Sequence, residues 1–225
     1  MEPQNINKQI SDKIDNLKYT DFDEPKGEVN KVSDKITIGW DKIITEPFSN
    51  TSKETLKELK YLGRLTNNLT QSEKSLIDLV DKEPLDLFKP ILKKHNLELD
   101  LPKFNKIWAM TEPVIMNLKA KYNRPRPYQL APFFGIDIKI QESETHHTGA
   151  YPSGHTAYAA MAALMLSDLY PDFSNQFFQK IGMAGYARNL QGVHYPSDNR
   201  AAMVITGAIW ENIRTQFPPV NTTES

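Results

Sequence analysis

Four long segments patterned as helices, residues 103–121, 155–169, 173–190 and 198–215, dominate the second half of this chain. The first ends where Pro125 and Pro127 forbid continuation. Tyr170-Pro171-Asp172 parts the second from the third, and Gly192 to Pro196 parts the third from the fourth. A chain punctuated in this way folds mostly as helices, with its reactive residues collected at their ends. The expected class is all-α.

Three patterns stand in order at those ends: Lys119-x6-Arg126-Pro127, then Pro152-Ser153-Gly154-His155, then Arg188-x5-His194-x3-Asp198. From average residue frequencies, a random chain of this length carries all three in order with a chance on the order of one in a million. Together they supply cations, a hydroxyl, a helix N-terminus, two histidines and a carboxylate. That set can hold a tetrahedral oxyanion and pass a phosphoryl group to an imidazole.

Each pattern also has a plainer reading. Lys119 falls in the last turn of a helix, where the dipole favours cations, and Lys121 and Arg124 add to the local charge, so simple helix termination or a phosphate-backbone patch would account for it. A point-charge ammonium and a planar guanidinium converging on one oxyanion is nevertheless what phosphate binding requires. Ser153 takes an N-cap position, and Gly154 lets a ligand approach the free N–H groups of the helix that follows. His155 then stands beside the bound anion. His194 and Asp198 lie four residues apart, so the carboxylate can accept from one ring nitrogen and leave the other as a nucleophile's lone pair. A surface arginine and an ordinary His–Asp pair are the alternative, but all three plain readings would have to coincide.

The first half is less informative. Residues 1–48 read as a polar N-terminal extension, with Ile10, Ile14 and Leu17 marking a short amphipathic helix and Phe22 to Val32 a loop. Helical spacing improves over Thr55 to Leu62, with Gly63 as the expected stop. Thr70 and Glu73 form a capping-box pattern, and Pro84 opens another periodic segment, Leu85 to His95. Residues 133–140 alternate well enough for a short strand or an extended loop. The expected organisation is one helical domain over 49–215 and a C-terminal tail over 216–225.

Composition narrows the chemistry. The chain has 225 residues, a net charge of −1 and no cysteine, so neither thiolate catalysis nor a sulfur-ligated metal is available and no global field recruits nucleic acid. The longest apolar run, Ala157 to Leu166, is far short of the roughly 20 residues that cross a bilayer. With no apolar stretch of signal-peptide length in Met1 to Thr20, the expected location is cytoplasmic or otherwise soluble. His146 and His147 beside Glu142 and Glu144 invite a metal reading, but adjacent residues rarely aim at one ion, and the histidines suit the rim of a pocket better.

The three patterns resemble the signature motifs of the type 2 phosphatidic-acid phosphatase superfamily, which includes soluble acid phosphatases, membrane lipid phosphatases and vanadium-dependent haloperoxidases. The resemblance covers residues 119–198. It implies a helical bundle in which Lys119, Arg126 and Arg188 hold phosphate oxygens and Ser153 with the Gly154 amide completes the cradle. His194 would attack phosphorus, Asp198 would orient it, and His155 would protonate the leaving oxygen. The family usually has Ser before the third-motif arginine; here it is Ala187. The implied activity is a metal-independent and cofactor-independent phosphatase acting on a phosphorylated small molecule or a lipid headgroup, with homo-oligomerisation open. A vanadium haloperoxidase and a non-catalytic phosphate-binding homologue are the alternatives.

Overall fold

The structure, a computed structural model, describes residues 3–26, 29–141, 143 and 145–218. Its helices are α1 (Pro3–Asp15), α2 (Lys53–Leu65), α3 (Gln71–Lys82), α4 (Lys89–His95), α5 (Leu101–Tyr122), the single turn α6 (Pro127–Leu130), α7 (Gly154–Leu169), α8 (Ser174–Leu190) and α9 (Pro196–Ile213). No strand occurs among the described residues, and the all-α expectation holds.

α7 is the hub. It packs against α8, α9 and α5, and Ala157, Ala159, Ala160, Met161, Ala162 and Ala163 are all buried. A helix apolar around its whole circumference belongs inside. Its alanines let neighbouring axes approach toward the short end of the usual range, about 8 Å. The hub's N-terminus is therefore enclosed by the ends of its neighbours, and that enclosure positions the site.

Local signals account for most boundaries. Thr70 accepts from the Glu73 amide while Glu73 accepts from the Thr70 amide, which is the reciprocal cap the sequence predicts. Pro113 lies inside α5, which runs on to Asn123 in the left-handed region at φ 46°. The segment opened by Pro84 divides into a 3-10 turn, Pro84–Leu87, and α4.

Two expectations need correction. Gly63 does not stop α2, which continues to Leu65. A Cβ there would stand 2.8 Å from Ile136 Cγ2 and 3.2 Å from the Asp137 carbonyl, so the glycine serves a close approach rather than a terminus. Of residues 133–140, Phe133 and Phe134 close a 3-10 turn, Ala131–Phe134, and 136–140 are the extended alternative and not a strand. Their alternation comes from packing across helix ends, with Ile138 Cγ2 against Gly192, where a Cβ would meet it at 2.8 Å.

The first 48 residues contribute to the interior. Tyr19 is buried, and Ile36 and Ile44 join the main hydrophobic cluster. The Tyr19 amide donates to the Asn123 carbonyl at 2.8 Å, and Asn123 Nδ2 donates to Thr20 Oγ1, which ties this segment to the end of α5.

Candidate active site

The N-terminus of α7 forms the floor. Ser153 caps it, and the Ser153 amide donates to the Asp198 carbonyl at 3.1 Å, locking the start of α7 to the first turn of α9. Thr156 Oγ1 donates to Asn199 Oδ1 at 2.9 Å, while Asn199 Nδ2 donates to Gly185 O and Asn189 Oδ1. The single Thr156 proton is thus committed, so in the 3.0 Å contact between Ser153 and Thr156 the donor must be Ser153. The Ser153 hydroxyl has to rotate away from Thr156 before it can donate to a ligand.

His194 stands in the connection ahead of α9, whose helical residues begin at Pro196. Arg126 Nη1 lies 2.9 Å from His194 Nε2, and a guanidinium only donates, so Nε2 must be the accepting nitrogen. The ring proton is then on Nδ1, which faces Asp198 Oδ2 at 3.1 Å. Burial first, and then the charges of Arg126, Lys119 and Arg188, hold His194 well below the usual histidine range. Burial and the cations together outweigh Asp198, and this favours the neutral ring.

The three cations expected to hold an anion are brought together and buried. Lys119 is 6% exposed, with Arg126 and Arg188 at 1%. Lys119 Nζ donates to the Gly149 carbonyl at 2.9 Å, and its side chain passes so close to α7 that a Cβ on Gly154 would meet Cε at 3.9 Å. Arg126 is held by the carbonyls of Thr148 and Val193. Neither Lys119 nor Arg126 forms an ion pair among the described residues. Burial and the neighbouring guanidiniums lower both, Arg126 to about 10. This surplus of buried positive charge favours an anion. Arg188 Nε, buried with no partner among the described residues, adds a donor.

His155 lies on the more open flank. Its Nε2 is 3.4 Å from the Asp81 carbonyl, and burial followed by the charge of Arg188 pushes it down to about 3. It borders a cavity of about 550 Å³ that also touches Lys119, Gly154 and His147. Of the two histidines expected at a pocket rim, His147 borders this cavity and His146 stacks on it at 5.3 Å; Glu142 and Glu144 lie outside the described residues.

Three functional neighbours escape sequence reasoning. Arg124 donates to Asp198 Oδ1 at 2.6 Å and to Ser197 Oγ, and its guanidinium lies 3.7 Å over the Tyr195 ring. Glu58, on α2, accepts from the Ser197 amide and hydroxyl, both at 2.7 Å. It thereby caps α9 beneath His194. Asp81, at the end of α3, pairs with Arg188 at 2.5 Å and accepts from Ser143 and Thr145. Burial would raise the Asp81 carboxyl, but those hydrogen bonds and the Arg188 charge hold it down to about 2. A charge-patch reading of Arg124 fails because its partners lie far away in sequence.

The chain is similar to several known proteins. The sequence pattern of the family described as PAP2 superfamily matches residues 107–221. The chain is 30% identical over 158 residues, 65% of its length, to a non-specific acid phosphatase of Providencia stuartii, covering 62% of that protein. It is 37% identical over 91 residues to an acid phosphatase of Zymomonas mobilis, covering 39% of this chain and 33% of that protein. It thus spans less than two thirds of the length of these relatives. Among solved structures, a transmembrane PAP2-type phosphatidylglycerolphosphate phosphatase from Bacillus subtilis superposes with a TM-score of 0.50 at 12% identity, over 77% of this chain and 91% of that one. The likeness is one of fold. Among the described residues of this chain, no helix is long and apolar enough to cross a membrane.

Proposed function

The chain belongs to the PAP2 superfamily, and from that premise we propose that it is a phosphatase that cleaves phosphate monoesters through a phosphohistidine on His194. The ester oxygens sit against Lys119, Arg126, Arg188 and the free amides at the start of α7, which offset the equatorial charge as the phosphoryl group transfers. His194 Nε2 attacks phosphorus, and the bond to the leaving oxygen breaks as that oxygen takes a proton from His155. Water then attacks the phosphohistidine, giving its proton to His155 and releasing phosphate from Nε2. Asp198 holds the Nδ1 proton throughout.

The observation that carries this reading is the position of His194. Its accepting nitrogen is directed at the buried cations, its other nitrogen is directed at a carboxylate, and its ring is neutral. His155 is neutral in the ligand-free protein as well. A bound phosphate dianion beside it raises its proton affinity, so the acid is armed by the substrate itself. A phosphomonoester free in water and one carried on a lipid headgroup offer the same reacting group.

The test is rapid quenching with a labelled aryl phosphate in the presence of chelator. The expected product is a protein-bound phosphoryl group that survives alkali, is lost in acid and is absent from His194→Ala. Turnover persisting in that variant would overturn the proposal.

A further inference from the structure

The catalytic scheme leaves most of the cavity beside His155 unused. Trp108, Glu112, Met116 and Lys119 follow one another on one face of α5 at helical spacing, spanning about 16 Å of helix. Tyr158 faces them from α7, one turn beyond His155. Its ring meets Trp108 and Phe104 edge to face, each with centroids 4.8 Å apart. The result is a groove with an anion end at Lys119, Gly154 and His155 and an aromatic end at Trp108 and Tyr158.

Charge grades along it. Burial, then the nearby carboxylates of Glu83 and Glu112, raises the Tyr158 phenol to about 12, which places both acids at the aromatic end. Glu83 is half-buried and also accepts from the Leu85 amide. Two exposed lysines also touch the cavity, Lys82 and Lys26, the latter donating its amide to the His147 carbonyl. A leaving group carrying a second anion would meet the half-buried Glu83 carboxylate inside the groove and the exposed Glu112 carboxylate at its edge, whereas a flat apolar body would meet the Trp108 and Tyr158 rings and the Met116 thioether.

We propose that this groove is the leaving-group subsite and that it selects monoesters of flat aromatic alcohols lacking a second anionic group, with Trp108 as the specificity-determining contact. The proposal rests on the phosphatase reading for the position of the phosphoryl group. The groove itself does not depend on that reading: Lys119, Gly154 and His155 line the same cavity as Trp108 and Tyr158.

Aryl esters are intrinsically easier to cleave, so affinity is measured with unreactive phosphonates. Wild-type protein is expected to bind benzylphosphonate roughly tenfold more tightly than methylphosphonate in titration calorimetry. Trp108→Ala removes that preference and leaves methylphosphonate affinity unchanged. No preference in the wild type, or a preference that survives in Trp108→Ala, overturns the subsite. Glu112→Lys, at an exposed position, decides the matter should Trp108→Ala fail to fold. Wild type should bind 4-carboxybenzylphosphonate several-fold more weakly than benzylphosphonate, and the variant should reverse that order; an unchanged order overturns the proposal. Turnover of phenyl and 1-naphthyl phosphate is followed in parallel. Preference without turnover of any monoester would sink the phosphatase reading and keep the groove, and turnover without preference would do the opposite.

Discussion

His194 and His155 both feel the charges of Lys119 and Arg188, and what lies behind them differs. Behind His194 stand Asp198, Arg124 and Glu58, from α9, the α5–α6 connection and α2, at 0%, 2% and 8% exposure. Behind His155 stands Asp81, half-buried at the end of α3, which reaches the chain around Ser143 and Thr145. One flank is enclosed and joined by hydrogen bonds from three elements, whereas the other opens onto the groove. In the proposed mechanism the nucleophile needs a fixed line of attack, which the enclosed flank supplies. The proposed acid needs a proton affinity that changes when substrate arrives, which a fully paired histidine could not provide.

The largest expected effect tests the enclosed flank. His194→Ala should lower turnover roughly ten-thousandfold for every ester, whatever its leaving group. His155→Ala should break the symmetry between flanks: a loss on the order of hundredfold to thousandfold for an alkyl phosphate, and a much smaller one for an aryl phosphate whose leaving oxygen needs little protonation. Equal losses on both esters, read from kcat, would show that His155 is not the acid.

Stability separates the flanks further. Arg124→Met leaves Asp198 buried beside Glu58 without its cation, and should cost about 3–5 kcal/mol in denaturant unfolding. Wild-type stability in that variant would mean that the enclosed flank is not held by charge. Asp81→Asn should leave the fold nearly unchanged and raise KM by roughly tenfold, with kcat little altered, because Arg188 loses its ion-pair partner while His194 keeps its own. A fall in kcat with unchanged KM would assign Asp81 a different role.

The smallest effect is in pH. Burial pushes the Asp198 carboxyl up to about 6, the Arg124 guanidinium pulling the other way. Lowering pH through that value adds a proton to the carboxylate that holds Nδ1–H, so kcat/KM should decline by about tenfold per pH unit below it. In Asp198→Asn the acid-side decline should disappear along with most of the activity.

Sequence carried the enclosed flank only in part. Lys119, Arg126, Ser153, Arg188, His194 and Asp198 could be picked out because each motif is local, and the Ser153 cap and the Thr70–Glu73 box follow from spacing alone. Arg124 was visible only as charge, since the Asp198 it holds is 74 residues away. Glu58 and Asp81 left no signal, as their partners Ser197 and Arg188 lie 139 and 107 residues on. Gly63 misled for a related reason, because the segment it accommodates, around Ile136, comes from elsewhere in the chain. Residue spacing reports what a helix does to itself. The charges beneath this site are set by which helix ends meet, and packing decides that.

The burial of Tyr19 has a consequence in time. Its amide partner, Asn123, follows more than a hundred residues later. At ordinary synthesis rates of about 5–20 residues per second, that is an interval of roughly 5–20 s. Throughout it, the Tyr19 amide lacks the acceptor it has in the folded chain, while Asn50 and Thr51, made much sooner, already offer partners to Ile14, Asp15 and Leu17. The nascent chain can close the Tyr19 contact only after α5 has left the ribosome, so the N-terminal segment docks in two steps separated in time.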